Sequence, residues 1–270
     1  YTRNECYFDN NPEMRARGLP NGEVKAILEK LREKHGSSFV PKTTLTKPVG
    51  APGQGQSLDK NIKVANSLFD SIGWLMGVDG IRSKNGKRMT IKLVLNSPLF
   101  QRIVEPYKNN LKKIGVELDI KVVQIAKYEE ILRNFNFDMI VANYPQSRSP
   151  GNEQRSMWSS EAESTPGSRN YMGVKNPAVD ELINTIVEAK SRKDLINYIQ
   201  AMDRILTHQF YIVPNWYIPY DRIVYWNKFS RPKINASQSI IINNILEWWW
   251  LDKNKATILK KARDSGSSLQ

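Results

Sequence analysis

Sulfur and imidazole are almost missing from this sequence. Its 270 residues include one cysteine, Cys6, and two histidines, His35 and His208, far apart in the chain. A lone thiol excludes an internal disulfide framework and a multi-cysteine zinc site. The histidines show no ligand spacing, so neither a metal nor a cofactor is expected. No stretch approaches the roughly 20 apolar residues that cross a bilayer. Residues Tyr1 to Glu5 have neither a basic start nor an apolar run, so they carry no legible secretion signal. With no initiator Met, the sequence reads as an excerpt or a processed product, and the missing signal leaves export open.

Catalytic constellations are missing too. There is no G-x-S-x-G elbow, P-loop, G-x-G-x-x-G or H-E-x-x-H. Gly53-Gln54-Gly55 is not followed by Lys-Ser or Lys-Thr. Glu129 and Glu130 are adjacent, and adjacent helical residues do not face each other. Asp70 and Asp79 do not complete a calcium loop and read as turn residues. A protein that binds rather than catalyses is expected.

The chain has ample material for a core: 40% hydrophobic residues, with seven Trp, eleven Tyr and eight Phe. Its net charge is +13, which draws a chain toward anions. The basic residues are interspersed with acids, as in residues 29–34, EKLREK, so a solvated basic surface is the main reading. A basic nucleic-acid-binding protein is the alternative, although no RNP-type motif or basic–aromatic repeat supports it.

Periodicity orders the chain. Glu23 to Lys34 is predicted helical through Val24, Ile27, Leu28 and Leu31. Residues 36–56, rich in Pro and Gly, form a long loop. Ser57 to Trp74 is predicted as a helix burying Ile62, Ala65, Leu68, Phe69 and Ile72, closed by Gly73. Asp79-Gly80 and Asn85-Gly86 mark tight turns. Strands are predicted over Met89–Leu95, Val116–Val123 and Phe137–Ala142. Helices Phe100–Ile114, with Pro106 as a kink or delayed start, and Tyr128–Phe135 alternate with them, which implies an α/β layer with crossovers. Residues 143–170 read as polar and turn-rich. Helices follow over Pro177–Ala189 and Arg192–Gln209, then paired strands Ile212–Tyr217 and Arg222–Trp226 around Pro219. Trp248, Trp249 and Trp250 cannot all face one side of a strand, so at least one should meet another surface. Residues 253–270 read as a frayed polar end. The aromatics around Trp216 suit either a ligand cleft or strand packing.

Four stretches together resemble the second lobe of the bacterial extracellular solute-binding proteins of family 5, the dipeptide and oligopeptide binders. They are ANSLFDSIGW (65–74) with DGIR (79–82) and NG (85–86); LKKIGVEL (111–118); FDMIVA (137–142); and Asn170 to Gly173 running through NPAVDEL (176–182) to IVP (212–214) with Trp216 and Tyr217. ARGLP (16–20), SPGNEQ (149–154) and Trp248 to Trp250 are similar to the YejA-like branch. The resemblance implies an α/β fold like that of the periplasmic binding proteins of class II, large oligopeptide-binder type: the second lobe plus C-terminal segments of the first. Residues 1–22 are then a crossover from the first lobe, 23–225 the second lobe, and 226–270 a return segment packed on the first.

The resemblance further implies capture of short peptides or modified peptides in a periplasmic cleft for an ABC importer. Partners would be the peptide, the permease subunits and the N-terminal half of the same protein, with no nucleic acid. Two lobes would close about a hinge on an extended peptide. The implied ligand-binding residues are Asn143, Tyr144, Gln146, Ser147, Arg148, Asn152, Glu153, Trp216 and Tyr217. Many oligopeptide binders read Ala-Asp-Tyr where this sequence has Ala142-Asn143-Tyr144, the Asp holding the ligand's α-ammonium. A neutral amide at 143 favours a modified peptide, or one with an acid facing Arg148; Glu153 is the alternative anion.

Overall fold

A computed structural model of the chain describes residues 2–50, 55–220, 222–232 and 249–268. The chain divides into two compact units, Thr2–Tyr217 and a smaller one containing Ile218–Gln270. In the larger unit β1 is Thr2–Arg3, α1 Gly22–His35, α2 Thr43–Thr46 and α3 Leu58–Ser71. A small antiparallel sheet follows, with strands β2 Leu75–Met76, β3 Arg82–Lys84 and β4 Lys87–Arg88. The β3–β4 turn is the predicted one: Asn85 and Gly86 both have positive φ, 52° and 76°, as a tight hairpin turn requires.

Next come β5 Thr90–Leu95, α4 Gln101–Lys112, β6 Glu117–Val122, α5 Ile125–Arg133 and β7 Met139–Ile140. These strands form a parallel sheet in the order β6-β5-β7, with Leu93 opposite both Ile120 and Met139. Successive side chains of a strand point to opposite faces, and the two faces are covered differently. Leu93, Leu95 and Leu118 pack with Val104 of α4, while Val94 packs with Tyr128 and Ile131 of α5. The expected α/β crossovers are therefore present. α4 runs through Pro106 rather than starting after it, at the cost of the one i→i−4 hydrogen bond that a proline inside a helix cannot donate. β7 is two residues long, shorter than the six-residue strand expected.

The largest core lies among helices. α6 is Glu153–Trp158, α7 Pro177–Val187 and α8 Arg192–His208. Leu28, Leu182, Ile183, Ile199, Met202 and Leu206 are all buried together with Phe8, Met14 and Trp158. Sequence explains the boundaries. Asn176 caps α7 by accepting from the N–H of Ala178 (2.9 Å) and also donates to the Phe39 carbonyl (2.8 Å), fixing the proline-rich loop. Ser191 caps α8.

Three expectations are corrected. α3 exists, but none of its residues is buried, and Leu68 and Ile72 are 62% and 56% exposed. Its anchor is polar: the buried Arg82 donates to Asp70 Oδ1 (2.6 Å), Asn66 Oδ1 (2.8 Å) and the Trp74 and Ile114 carbonyls, and lies over the Phe69 ring. Gly115 makes room for that cation, since a Cβ there would come within 2.6 Å of Arg82 Cγ. Second, residues 222–226 form no strand; β8, Trp216–Tyr217, pairs antiparallel with β1 instead. The partner lies more than two hundred residues away, beyond the reach of local turn chemistry. Third, the supposedly frayed end contains α9, Lys253–Ser265, capped by Asp252 and closed by Gly266 in the left-handed region. In that smaller unit β9 Phe229–Ser230 pairs with β10 Trp250–Leu251, and the Tyr225 ring meets Trp249 edge-on at 4.6 Å. Trp250 is exposed; Trp248 and residues 240–242 lie outside the described residues.

Candidate functional site

A parallel sheet gathers the loops that follow its strands along one edge, where open α/β sheets hold ligands. Here residues 96–98, 123–124 and 141–152 leave β5, β6 and β7 at that edge. Pro145, Pro150 and Gly151 keep the third of these from regular structure until α6 begins.

Trp158 organises this third loop. Its side chain is fully buried, and its indole N–H donates to Gln154 Oε1 one helical turn earlier (2.8 Å). The Gln154 amide in turn donates to Gln146 Oε1 (2.9 Å). Tyr144 stacks on the indole at 4.9 Å with 26° between the planes, and Tyr7 meets it edge-on at 5.0 Å. The Tyr144 hydroxyl donates to the Arg169 carbonyl (3.0 Å), while the Arg169 guanidinium donates to the Asn143 carbonyl (2.7 Å). Burial, reinforced by the neighbouring Tyr171, pushes the Tyr144 phenol well above its ordinary range, against the opposing pull of Arg169. Tyr144 is therefore a neutral donor.

The other sequence-predicted residues fall around this platform or beside it. Asn143 and Ser147 are exposed, the Ser147 carbonyl being held by Asn11 Nδ2 (3.2 Å). The Arg148 carbonyl accepts from Arg192, which also pairs with Glu13 (2.6 Å). Asn152 Oδ1 accepts from Arg155 (3.0 Å), and the exposed Glu153 carboxylate accepts from the Gly151 N–H (3.0 Å). Trp216 and Tyr217 sit on the separate β1–β8 ribbon. The N-terminal segment links the two places: Asn4 N–H bonds the Asn215 carbonyl (3.1 Å), and Asn11 reaches Ser147.

Trp158, Gln154, Arg169 and Tyr171 were not singled out from sequence. The i, i+4 spacing of Gln154 and Trp158 was the available signal, obscured by the prolines and serines around a helix of one and a half turns. The same edge also carries an open cleft of ≈ 580 Å³ lined by Asn96, Pro98, Val122, Val123, Gln124, Ile125 and Ala126. Among the described residues no group of three or more His, Cys, Asp or Glu side chains gathers to hold a metal. His35 bonds Glu181 (2.7 Å), and burial lifts the Cys6 thiol far above its ordinary range.

The family described as bacterial extracellular solute-binding proteins, family 5 (middle), matches residues 24–166, more than half of the chain. The chain belongs to this family. Its relatives include the uncharacterised protein y4wM of Sinorhizobium fredii, 34% identical over 241 residues, 88% of this chain and 35% of that protein. Another is the Agrobacterium fabrum protein named "Probable peptide-binding protein YejA", 31% identical over 249 residues, 91% of this chain and 39% of that protein. The family 5 chain thus spans less than half the length of the curated relatives it matches. Among solved structures, the oligopeptide-binding protein AppA of Bacillus subtilis, in complex with a nonapeptide, superposes with a TM-score of 0.56 at 20% identity, covering 93% of this chain and 49% of that one. That likeness shows the fold: part of an oligopeptide-binding, periplasmic-binding-protein architecture.

Proposed function

We propose that this chain is the second-lobe part of a solute-binding protein that captures short peptides or modified peptides for an ABC importer, without catalysing a reaction. The observation that carries the reading is the loop 143–152 at the carboxyl edge of the parallel sheet, held from behind by Trp158 and left open in front, in a chain that belongs to family 5. Backbone groups of such a loop can pair with an extended peptide while neighbouring pockets sort its side chains. The names of the relatives, a probable peptide-binding protein and a nonapeptide complex, agree with this ligand class.

In the proposal, Asn143, Tyr144, Gln146, Ser147, Arg148, Asn152 and Glu153 contact the ligand from the loop, and Trp216 and Tyr217 from the ribbon. Asn143 offers a neutral amide, so a ligand with a blocked or modified amine suits the site better than a bare ammonium. Residues 1–22 would then carry the connection from the other lobe into this one, whose core takes in Phe8 and Met14, and residues 226–270 would serve the other lobe, with capture taking place in the periplasm. Some described basic side chains pair with acids, as Lys34 does with Glu181 and Arg88 with Asp79. The family match favours the solute-binding reading, and the nucleic-acid alternative is not carried forward.

Native mass spectrometry of the full-length protein, purified without refolding, tests the proposal. Co-purified mass in the range of short peptides, displaced by peptide pools, is the expected result. No bound mass, together with no thermal shift on adding peptide pools, would overturn it.

A further inference from the structure

The open face of α3 belongs to a larger apolar patch. Val64, Leu68 and Ile72 recur every four residues, which places them in one stripe along the helix, and each is at least half exposed. The chain that follows adds Leu75 and Met76 of β2 and then Val78, all exposed as well. The other side of α3, with Asn66, Phe69 and Asp70, is the one that Arg82 engages. Isolated exposed apolar residues are ordinary, but a run of them on one helix face and the strand beside it marks a recognition surface.

The charge around this patch has one sign. Residues 57–88 contain six basic residues and three acids, Asp59, Asp70 and Asp79. Asp70 pairs with Arg82 and Asp79 with Arg88. Within the stretch that leaves Asp59 against Lys60, Lys63, Lys84 and Lys87, all four exposed. Lys60 lies one turn before Val64, and the ammonium of Lys84 donates to the Ile72 carbonyl (2.7 Å) at the far end of the stripe. Lys87 stands opposite Lys84 in the β3–β4 pair. Lysines therefore sit at both ends of the apolar stripe.

Position separates the patch from the candidate ligand loop. The Arg82 N–H donates to the Gly115 carbonyl (2.8 Å), just before β6 begins, and the Glu117 N–H donates to the Met89 carbonyl (3.0 Å), just before β5 begins. The small antiparallel sheet and α3 are thus attached at the amino edge of the parallel sheet. The loop 143–152 leaves its carboxyl edge, so a second lobe closing on that loop would leave the patch open.

We propose that α3 and the β2–β4 sheet form a docking surface for an anionic lipid bilayer. Val64, Leu68 and Ile72 enter the boundary between headgroups and acyl chains, while Lys60, Lys63, Lys84 and Lys87 meet the lipid phosphates. Charge decides between occupants. A second copy of this chain would bring the same excess of lysines to the contact, and like charges repel. A polyanion without an apolar part would satisfy the lysines and leave the stripe in water. An anionic bilayer matches both features, and the surface does not depend on what the cleft captures.

The test is flotation of the full-length protein with vesicles of phosphatidylcholine, alone or with about 30% phosphatidylglycerol, in low salt and in about 0.5 M NaCl. Binding is expected to the anionic vesicles, about 10-fold or more tighter than to phosphatidylcholine alone, and weakened by salt. The double substitution Leu68→Gln with Ile72→Gln should lower that affinity about 10-fold or more, because two large apolar side chains no longer leave water. Glutamine is a good helix former and both positions are exposed, so the unfolding curve should stay close to that of the native protein. Lys60→Gln with Lys63→Gln, which leaves the stripe intact, should also weaken binding, by about 5-fold per lysine. No binding to either vesicle would overturn the proposal. So would equal binding to both, or anionic binding that neither double substitution changes. Self-association in sedimentation experiments that Leu68→Gln with Ile72→Gln abolishes, without vesicle binding, would overturn it in favour of a second copy.

Discussion

Two helices with the same kind of apolar periodicity end differently in this molecule. α8 buries eight residues, Ile199, Ala201 to Leu206 and His208, while α3 buries none. α8 lies within the helical core with α1 and α7. α3 is tied to its neighbours through Arg82, a cation placed where an apolar side chain would ordinarily sit. Periodicity tells which face of a helix is apolar; it does not tell whether another element covers that face.

The comparison is broken most directly at α8. Leu206→Ala, at a fully buried position in the main core, should lower the unfolding free energy by about 2–5 kcal/mol in urea titrations. A loss below about 1 kcal/mol would show that the helical layer is loosely packed. At α3 the anchor is the place to strike. Arg82→Ala strands the Ile114 and Trp74 carbonyls and the Asn66 amide, and should cost about 3 kcal/mol, given about 1–3 kcal/mol for each buried polar group left unpaired.

A smaller effect depends on pH. Asp203 of α8 is fully buried and accepts from the N–H groups of Tyr7 (2.8 Å) and Ala16 (2.9 Å). Burial lifts its carboxyl from an ordinary 3.8 to about 6, against the downward pull of those two N–H donors. The folded chain therefore holds this proton more tightly than the unfolded chain does. The stabilisation is complete below about pH 4 and is lost as the pH rises through about 6. Relative to Asp203→Asn, the native chain should lose stability between about pH 4 and pH 7. A difference that stays flat across that window would mean the carboxyl titrates as it does in water. The smallest effect sharpens the contrast. Leu68→Ala, on the open face of α3, should change stability by no more than about 0.5 kcal/mol; a larger loss would mean that face is covered.

Much of the fold was legible. The helix predicted over 23–34 appears as 22–35, and that over 192–209 as 192–208. The Asn85-Gly86 turn and the strands around Leu93 and Leu118 also form, because period, caps and turn residues act within a few positions of each other. The loop 143–152 was legible as a loop, from its prolines. Its support was not. Trp158 reads as one more aromatic until Tyr7, Tyr144 and Gln154 converge on it from three parts of the chain. The cleft at Val122 and Ile125 was likewise invisible, since two strand ends and a helix start form it only once the sheet has assembled.

By itself, then, the sequence determined the alternation of helices and strands, the tight turns, the lack of a clustered metal-ligand motif and the resemblance to family 5. Tertiary structure alone decided that Trp216 and Tyr217 pair with Thr2 and Arg3, that Arg82 rather than leucines anchors α3, and which loops share an edge with the open cleft. The physical reason is range. Propensity and capping are settled within a turn or two, whereas burial and strand pairing depend on what a distant segment brings to the same place.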